Sequence, residues 1–181
     1  MAQTEKKPSG AQTAIEWVES LVFATALLIL VFIFLFRAVT VSGTSMVPTL
    51  YGGDKIIVQS VGYQPRRGDV IVVDGYINYG EPIVKRIIGV GGDEVDIDFE
   101  TAAVTVNGSV LQEPYLGTPT QRKGDVEFPL TVPEGMVFVL GDNRQASLDS
   151  RYTDVGFIDS RDILGRVFFR VLPFSSIGAI R

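Results

Sequence analysis

The sequence predicts a mainly β, antiparallel domain carried behind one N-terminal transmembrane helix, and three features predict it. Residues 20–36 contain no charged side chain and are almost wholly apolar. Beyond them the apolar residues fall into short β-branched runs, and turn-forming residues separate one run from the next. Runs this short and this rich in Val and Ile suit strands rather than helices.

Residues 1–16, rich in Lys, Gln, Thr, Ser, Pro and Gly, form a solvated tail. The membrane helix follows over 17–37. Its uncharged part spans about 26 Å at about 1.5 Å per residue, and Trp17 stands where an interfacial aromatic belongs. A buried core helix would keep a polar face, which this stretch lacks. A cleaved signal peptide would use an apolar run of only ~7–15 residues followed by a small-x-small site. Here Arg37-Ala38-Val39-Thr40-Val41 follows instead, so retention as an anchor is expected. Lys6 and Lys7 precede the helix and Arg37 follows it, a one-charge lean toward an N-terminus in the cytoplasm.

Strands are expected at 55–58, 69–73, 83–88, 94–99, 104–106, 136–140 and 166–171. Gly52-Gly53-Asp54, Arg67-Gly68-Asp69, Gly91-Gly92-Asp93 and Glu134-Gly135 supply the turns, and Asn107-Gly108 is the clearest hairpin signal. Residues 111–128, with Glu113-Pro114, Thr118-Pro119 and Arg122-Lys123, form a long excursion. The expected division is a core of 38–92 with 136–181 and a small inserted β and loop subdomain of 93–135.

The formal charge of −5 over 181 residues, with no cluster of basic residues, excludes a nucleic-acid surface. There is no cysteine and no histidine. Thiolate chemistry, a Ser-His-Asp triad and metal sites built on imidazole or thiolate are therefore excluded. A serine nucleophile would need a lysine base, and that lysine must be desolvated to lose its proton near neutrality. Lys85 fits: Ile83-Val84 precede it and Ile87-Ile88 follow Arg86. Strand alternation sends one of Lys85 and Arg86 to the packed side, although an inward lysine also snorkels to an edge. Ser45 on its own pattern reads as a turn hydroxyl in the loop leading to Pro48. Asp93, Glu94, Asp96, Asp98 and Glu100 form a solvated strand face rather than a calcium loop, since Val95, Ile97 and Phe99 alternate with the later acids. Residues 141–151 gather Asp142, Arg144, Asp149 and Arg151 with Ser147 and Ser150 in one Gly-initiated loop, the composition of an ion-paired, self-bonded segment.

Four stretches, in order, resemble the boxes of the membrane-anchored type I signal peptidases of bacteria. They are Ser42-Gly43-Thr44-Ser45-Met46-Val47-Pro48-Thr49-Leu50, then Gly68-Asp69-Val70-Ile71-Val72, then Lys85-Arg86-Ile87-Ile88-Gly89 with Gly91-Gly92-Asp93, and Gly141-Asp142-Asn143-Arg144 through Ser147, Asp149, Ser150, Arg151 and Tyr152. The resemblance implies a barrel-like antiparallel catalytic fold and a serine-lysine dyad, with Ser45 as nucleophile and Lys85 as general base. It implies that Ser147 orients the lysine amine and that Asp142, Asp149, Arg151 and Arg86 support the site. The oxyanion would be held at Ser45 and Gly43, where some members carry a serine in place of Gly43. Substrate would lie as an added strand against 39–43 and 82–84, with Val41, Met46, Leu50 and Val84 lining shallow pockets for alanine-sized side chains.

By the same resemblance the substrates are the signal peptides of exported preproteins, cut after small residues in the A-x-A manner. The partners are the lipid bilayer and the export machinery, with no cofactor, no metal and no nucleic acid. The chain would be a single-pass protein of the bacterial cytoplasmic membrane, N-terminus inside and catalytic domain on the outer face. The single anchor and short insertion look most like the Gram-positive branch. Self-cleaving repressors share the serine-lysine chemistry but carry a DNA-binding helix-turn-helix where this chain has an apolar helix. A tethered β domain that binds exported chains without cutting them is the alternative of another class.

Overall fold

The structure is a computed structural model, and it describes residues 10–75 and 80–180, the side chains of Ile33 and Phe34 excepted. The chain divides into two compact units, Met1–Leu35 and Phe36–Arg181. The first nine residues of the expected tail, Lys6 and Lys7 among them, lie outside the described residues.

The first unit holds helix α1, Gly10–Leu35. It begins seven residues before the expected start at Trp17, because Ala, Gln and Glu continue a helix as readily as Leu does and hydropathy does not register them. Over Gly10–Phe32 it is long and apolar enough to cross a membrane. Its large apolar side chains from Ile15 to Phe32 are exposed, Trp17 at 74% and Phe23 at 72%.

Phe36 and Arg37, expected in the helix, instead open strand β1, Phe36–Thr40. The whole of β1 pairs antiparallel with β2, Lys55–Gln59, from Phe36 opposite Gln59 to Thr40 opposite Lys55. The remaining strands are β3 (Val70–Val73), β4 (Ile83–Val90), β5 (Glu94–Asp98), β6 (Ala103–Val106), β7 (Ser109–Val110), β8 (Leu130–Thr131), β9 (Met136–Leu140), β10 (Ile158–Asp159), β11 (Ile163–Leu172) and β12 (Gly178–Ala179). Every run expected as a strand is one. The two-residue strands and β1 were not foreseen.

The larger sheet runs β1-β2-β11-β3-β4-β9-β10, with β12 on β11, and the smaller runs β7-β6-β5-β8. All the pairings are antiparallel. Register shifts in β11 and between Ile87 and Gly89 of β4 bend the larger sheet, as bulges do, and give it a curled, barrel-like form. Asn107 and Gly108 turn the β6-β7 hairpin with positive φ at both positions, 53° and 73°.

The core explains why the strands have the sequences they do. Val70 and Val72 of β3 enter one apolar cluster, with Ile56, Val58 and Val167, while Ile71 and Val73 enter another, with Ile87, Val137 and Val139. A strand covered on both faces needs a continuous apolar run rather than alternation. Phe138 and Leu140 of β9 join Val95, Ile97, Val104 and Val106 of the smaller sheet in a third cluster. That leaves Glu94, Asp96 and Asp98 on the solvated face.

Two features of β4 position the site. Lys85 and Arg86 point to opposite faces, yet both are buried, because this strand too is covered on both sides. Pairing with β9 begins only at Arg86 opposite Leu140, so Ile83, Val84 and Lys85 have β3 on one side and no strand on the other among the described residues.

Candidate active site

Ser45 sits in the segment 41–54 that joins β1 to β2. Backbone bonds from Val41 to Asp54 O and from Gly53 to Val41 O close the segment at its base, at 2.8 and 2.9 Å. Met46 and Leu50, joined by a Leu50 N to Met46 O bond of 2.9 Å, drop their side chains into the first core cluster. Those anchors hold the turn from beneath and leave Ser45 half-buried at the surface. Gly43, exposed at φ 77°, takes a backbone conformation that a side chain there would strain.

Lys85 reaches Ser45 from β4: its Nζ lies 2.9 Å from Ser45 Oγ in a hydrogen bond. The lysine is 3% exposed, and burial pushes its ammonium down to about 8. The carboxylates of Asp149 and Asp142 pull the other way, and the Arg151 guanidinium adds to the lowering. At pH 7 such an amine is neutral in about one molecule in ten, far more often than an exposed lysine.

The loop 141–151 stands behind the pair. Asp142 accepts from Arg86 Nε at 2.8 Å and Nη2 at 2.7 Å, and from the Thr49 hydroxyl, so one carboxylate ties β4 to the serine segment. Asp149 accepts from Arg151 Nε at 2.8 Å and from the Gly141 amide at 3.0 Å. Asn143 clamps the serine backbone, its amide donating to Ser45 O at 2.9 Å and its side chain to Thr44 O at 3.1 Å. A Cβ at Gly141 would strike the Ser147 side chain and lie 2.5 Å from Ser45 O, so the loop approaches the serine as only glycine allows.

The other expected site residues distribute unevenly. The Ser147 hydroxyl is buried and finds no hydrogen-bond partner among the described residues; it lies against Gly141 rather than on the Lys85 amine. A cleft of about 680 Å³ opens over Ser45 and Lys85, with Val39 and Thr40 on one wall and Ile83 and Val84 on the other. Of the four residues expected to line pockets, Val84 is on the wall. Val41, Met46 and Leu50 lie in the core beneath, because the anchoring of the turn consumes their side chains. No group of three or more carboxylates able to hold a metal ion occurs among the described residues.

Five residues to which the sequence assigned no role also brace the site: Thr49, Glu113, Tyr115, Thr120 and Asn143. A count of charges would have found one of them. Arg86, Arg144 and Arg151 are all buried, whereas the site loop supplies only Asp142 and Asp149. The third arginine needs a carboxylate from elsewhere, and Glu113 provides it.

Comparison with known proteins bears on this geometry. The family model described as "Signal peptidase, peptidase S26" matches residues 14–172. A signal peptidase I of Bacillus licheniformis is 38% identical over 188 residues, covering 96% of this chain and 97% of its own. A signal peptidase IB of Staphylococcus aureus (strain COL) is 37% identical over 179 residues, covering 89% of this chain and 91% of its own. A solved signal peptidase I from Enterococcus faecalis V583 is 34% identical and covers 57% of this chain and 97% of that one, with a TM-score of 0.47. Matched over most of its length by the family model and by relatives from Bacillus and Staphylococcus, the chain belongs to the S26 family of signal peptidases, in its Gram-positive type I branch of serine endopeptidases.

Proposed function

We propose that this protein is a membrane-anchored endopeptidase that removes signal peptides from exported preproteins after small residues, with Ser45 as nucleophile and Lys85 as general base. The observation that carries the reading is the 2.9 Å bond between Ser45 Oγ and a buried lysine whose amine is pushed down to about 8. Neutral Lys85 takes the Ser45 proton as Oγ attacks the scissile carbonyl. The C–N bond then breaks, and protonated Lys85 gives its proton to the leaving amine. Water, activated by the same amine, hydrolyses the ester and restores the serine. The Ser45 amide and the backbone at Gly43 would stabilise the oxyanion in this reading, Ser147 would reach the amine only by rotating from its place against Gly141, and the ion pairs of Asp142 with Arg86 and Asp149 with Arg151 keep the loop in position.

The substrate enters as an added strand. The outer edge at Val39 and Thr40 and the far side of Ile83–Lys85 line the cleft and pair with no further strand among the described residues, the arrangement that β-augmentation uses. In this reading Val84 and Val39, on the cleft walls, line a subsite that takes alanine-sized side chains. Residues 38–92 and 136–181 form the catalytic core in this reading, with 93–135 inserted. Helix α1 is the anchor, its N-terminus in the cytoplasm, and the core works on the outer face beside the export machinery.

The test is cleavage of a preprotein by the detergent-solubilised chain. Ser45→Ala and Lys85→Ala are each expected to abolish it, and the wild-type rate is expected to rise with pH through about 8 as Lys85 loses its proton. Undiminished cleavage by either variant, or a rate flat down to acidic pH, would overturn the reading.

A further inference from the structure

Residues 111–126 contain neither helix nor strand, yet they bind the site loop at point after point. Arg151 Nη1 donates to Arg122 O at 2.6 Å, and the amides of Asp125 and Val126 donate to Arg151 O at 3.1 and 3.2 Å. The centre of this strap is Glu113. Its carboxylate pairs with Arg144, accepting from Nη1 at 3.1 Å and from Nη2, and Arg144 is 0% exposed.

Glu113 stands at a junction of two routes to the dyad. Arg144 turns its remaining Nε toward the site and donates to Gly141 O at 3.1 Å, and Gly141 is the residue pressed against Ser45 O. The second route starts at Tyr115, whose hydroxyl donates to Glu113 Oε1 at 2.8 Å. Its ring lies 3.9 Å from the guanidinium carbon of Arg86, the neighbour of Lys85 and the partner of Asp142. Asp142 and Asp149 are taken by Arg86 and Arg151, so Glu113 is the counter-charge of Arg144 among the described residues. Without it a buried guanidinium would be left unpaired beside the site, and unpaired buried charge moves or hydrates its surroundings.

We infer that Glu113 is a positioning residue for cleavage, holding Gly141 through Arg144 and Arg86 through Tyr115 so that Ser45 and Lys85 keep their reacting distance. The inference rests on the reading of Ser45 and Lys85 as the dyad. Glu113 does not line the cleft, so its loss acts on the chemical step and leaves substrate affinity alone. A displacement of about 1 Å in such a pair slows reaction by up to about 100-fold.

The experiment measures steady-state kinetics of the full chain in detergent with a peptide spanning a signal-peptide cleavage site. Glu113→Gln keeps the side-chain shape and the acceptor for Tyr115 while removing the charge. It is expected to lower kcat by about 10- to 100-fold with KM unchanged. The double variant Glu113→Gln with Arg144→Met removes the unpaired cation. Its thermal midpoint is expected to return toward wild type while kcat stays low, because Arg144→Met takes away the donor to Gly141 O. Wild-type kcat in Glu113→Gln, or kcat recovering with the thermal midpoint in the double variant, overturns the inference, and where the single variant does not fold the double variant decides. Ser45→Ala is run alongside. Its retaining cleavage would remove the dyad itself, whereas an inactive Ser45→Ala beside a fully active Glu113→Gln removes only the role of Glu113.

Discussion

Lys85 occupies a place that costs the fold stability. Burial holds its ammonium at about 8 instead of the ordinary 10.5. Below pH 8 the lysine is charged in both the folded and the unfolded chain and adds no pH dependence. Between about 8 and 10.5 it is neutral when folded and charged when unfolded, so the unfolded state binds more protons and stability rises with pH. Over that window the gain is about 3 kcal/mol. Lys85→Met, which keeps the stem and removes the amine, is expected to be the more stable protein below pH 8 and to lack this rise. Tyr63 and Tyr115, whose phenols burial raises further still, titrate in alkaline solution too, so the quantity to measure is the difference in thermal midpoint between wild type and Lys85→Met from pH 7 to 10. A constant difference would show that Lys85 is not held neutral by burial.

At the scale of elements, β4 carries the argument. Its pairing with β9 starts at Arg86, and among the described residues no strand covers the far side of Ile83–Lys85, where the cleft wall lies. Backbone pairing with an added strand uses the amides of alternate residues only. A substrate peptide N-methylated at an amide that pairs with the walls is expected to lose cleavage by about tenfold or more through KM, while methylation one residue away leaves it little changed. Equal effects at both positions would exclude the added-strand mode. Much of this element was legible in the sequence: a lysine flanked by Ile83-Val84 and Ile87-Ile88 has few ways to stay wet. Strand β1 was not, because Phe36 and Val39 prolong the apolar texture of the helix and only pairing with β2 ends it. Nor were β7, β8, β10 and β12, since two residues carry no period. The packing of Met46 and Leu50 was not legible either, because apolar residues in a surface turn serve a pocket or an anchor alike, and here they enter the core cluster. The pairing of Glu113 was not legible because its partner Arg144 lies 31 residues away, and no local pattern records such a contact.

The whole molecule separates what folds the site from what brings substrate to it. Everything that shapes the cleft belongs to the unit Phe36–Arg181, with its own apolar clusters and both sheets, while α1 belongs to the other. A chain beginning at Phe36 is therefore expected to fold and to cut a short soluble peptide at close to the full-length rate. Signal peptides are themselves apolar segments held in the bilayer, so an anchored enzyme meets them in a thin layer rather than in bulk water. Confinement of that kind raises effective concentration, by factors of about 100 or more when the geometry permits. The truncated chain is expected to lose about that much against a preprotein inserted in lipid vesicles, with kcat on the soluble peptide preserved. The measurement is the ratio of the two rates for both forms in the same preparation. An equal fall on both substrates would mean that the helix contributes to the folded site itself. An unchanged ratio would mean that the anchor does nothing for delivery, and that the catalytic unit finds membrane-held substrate by another route.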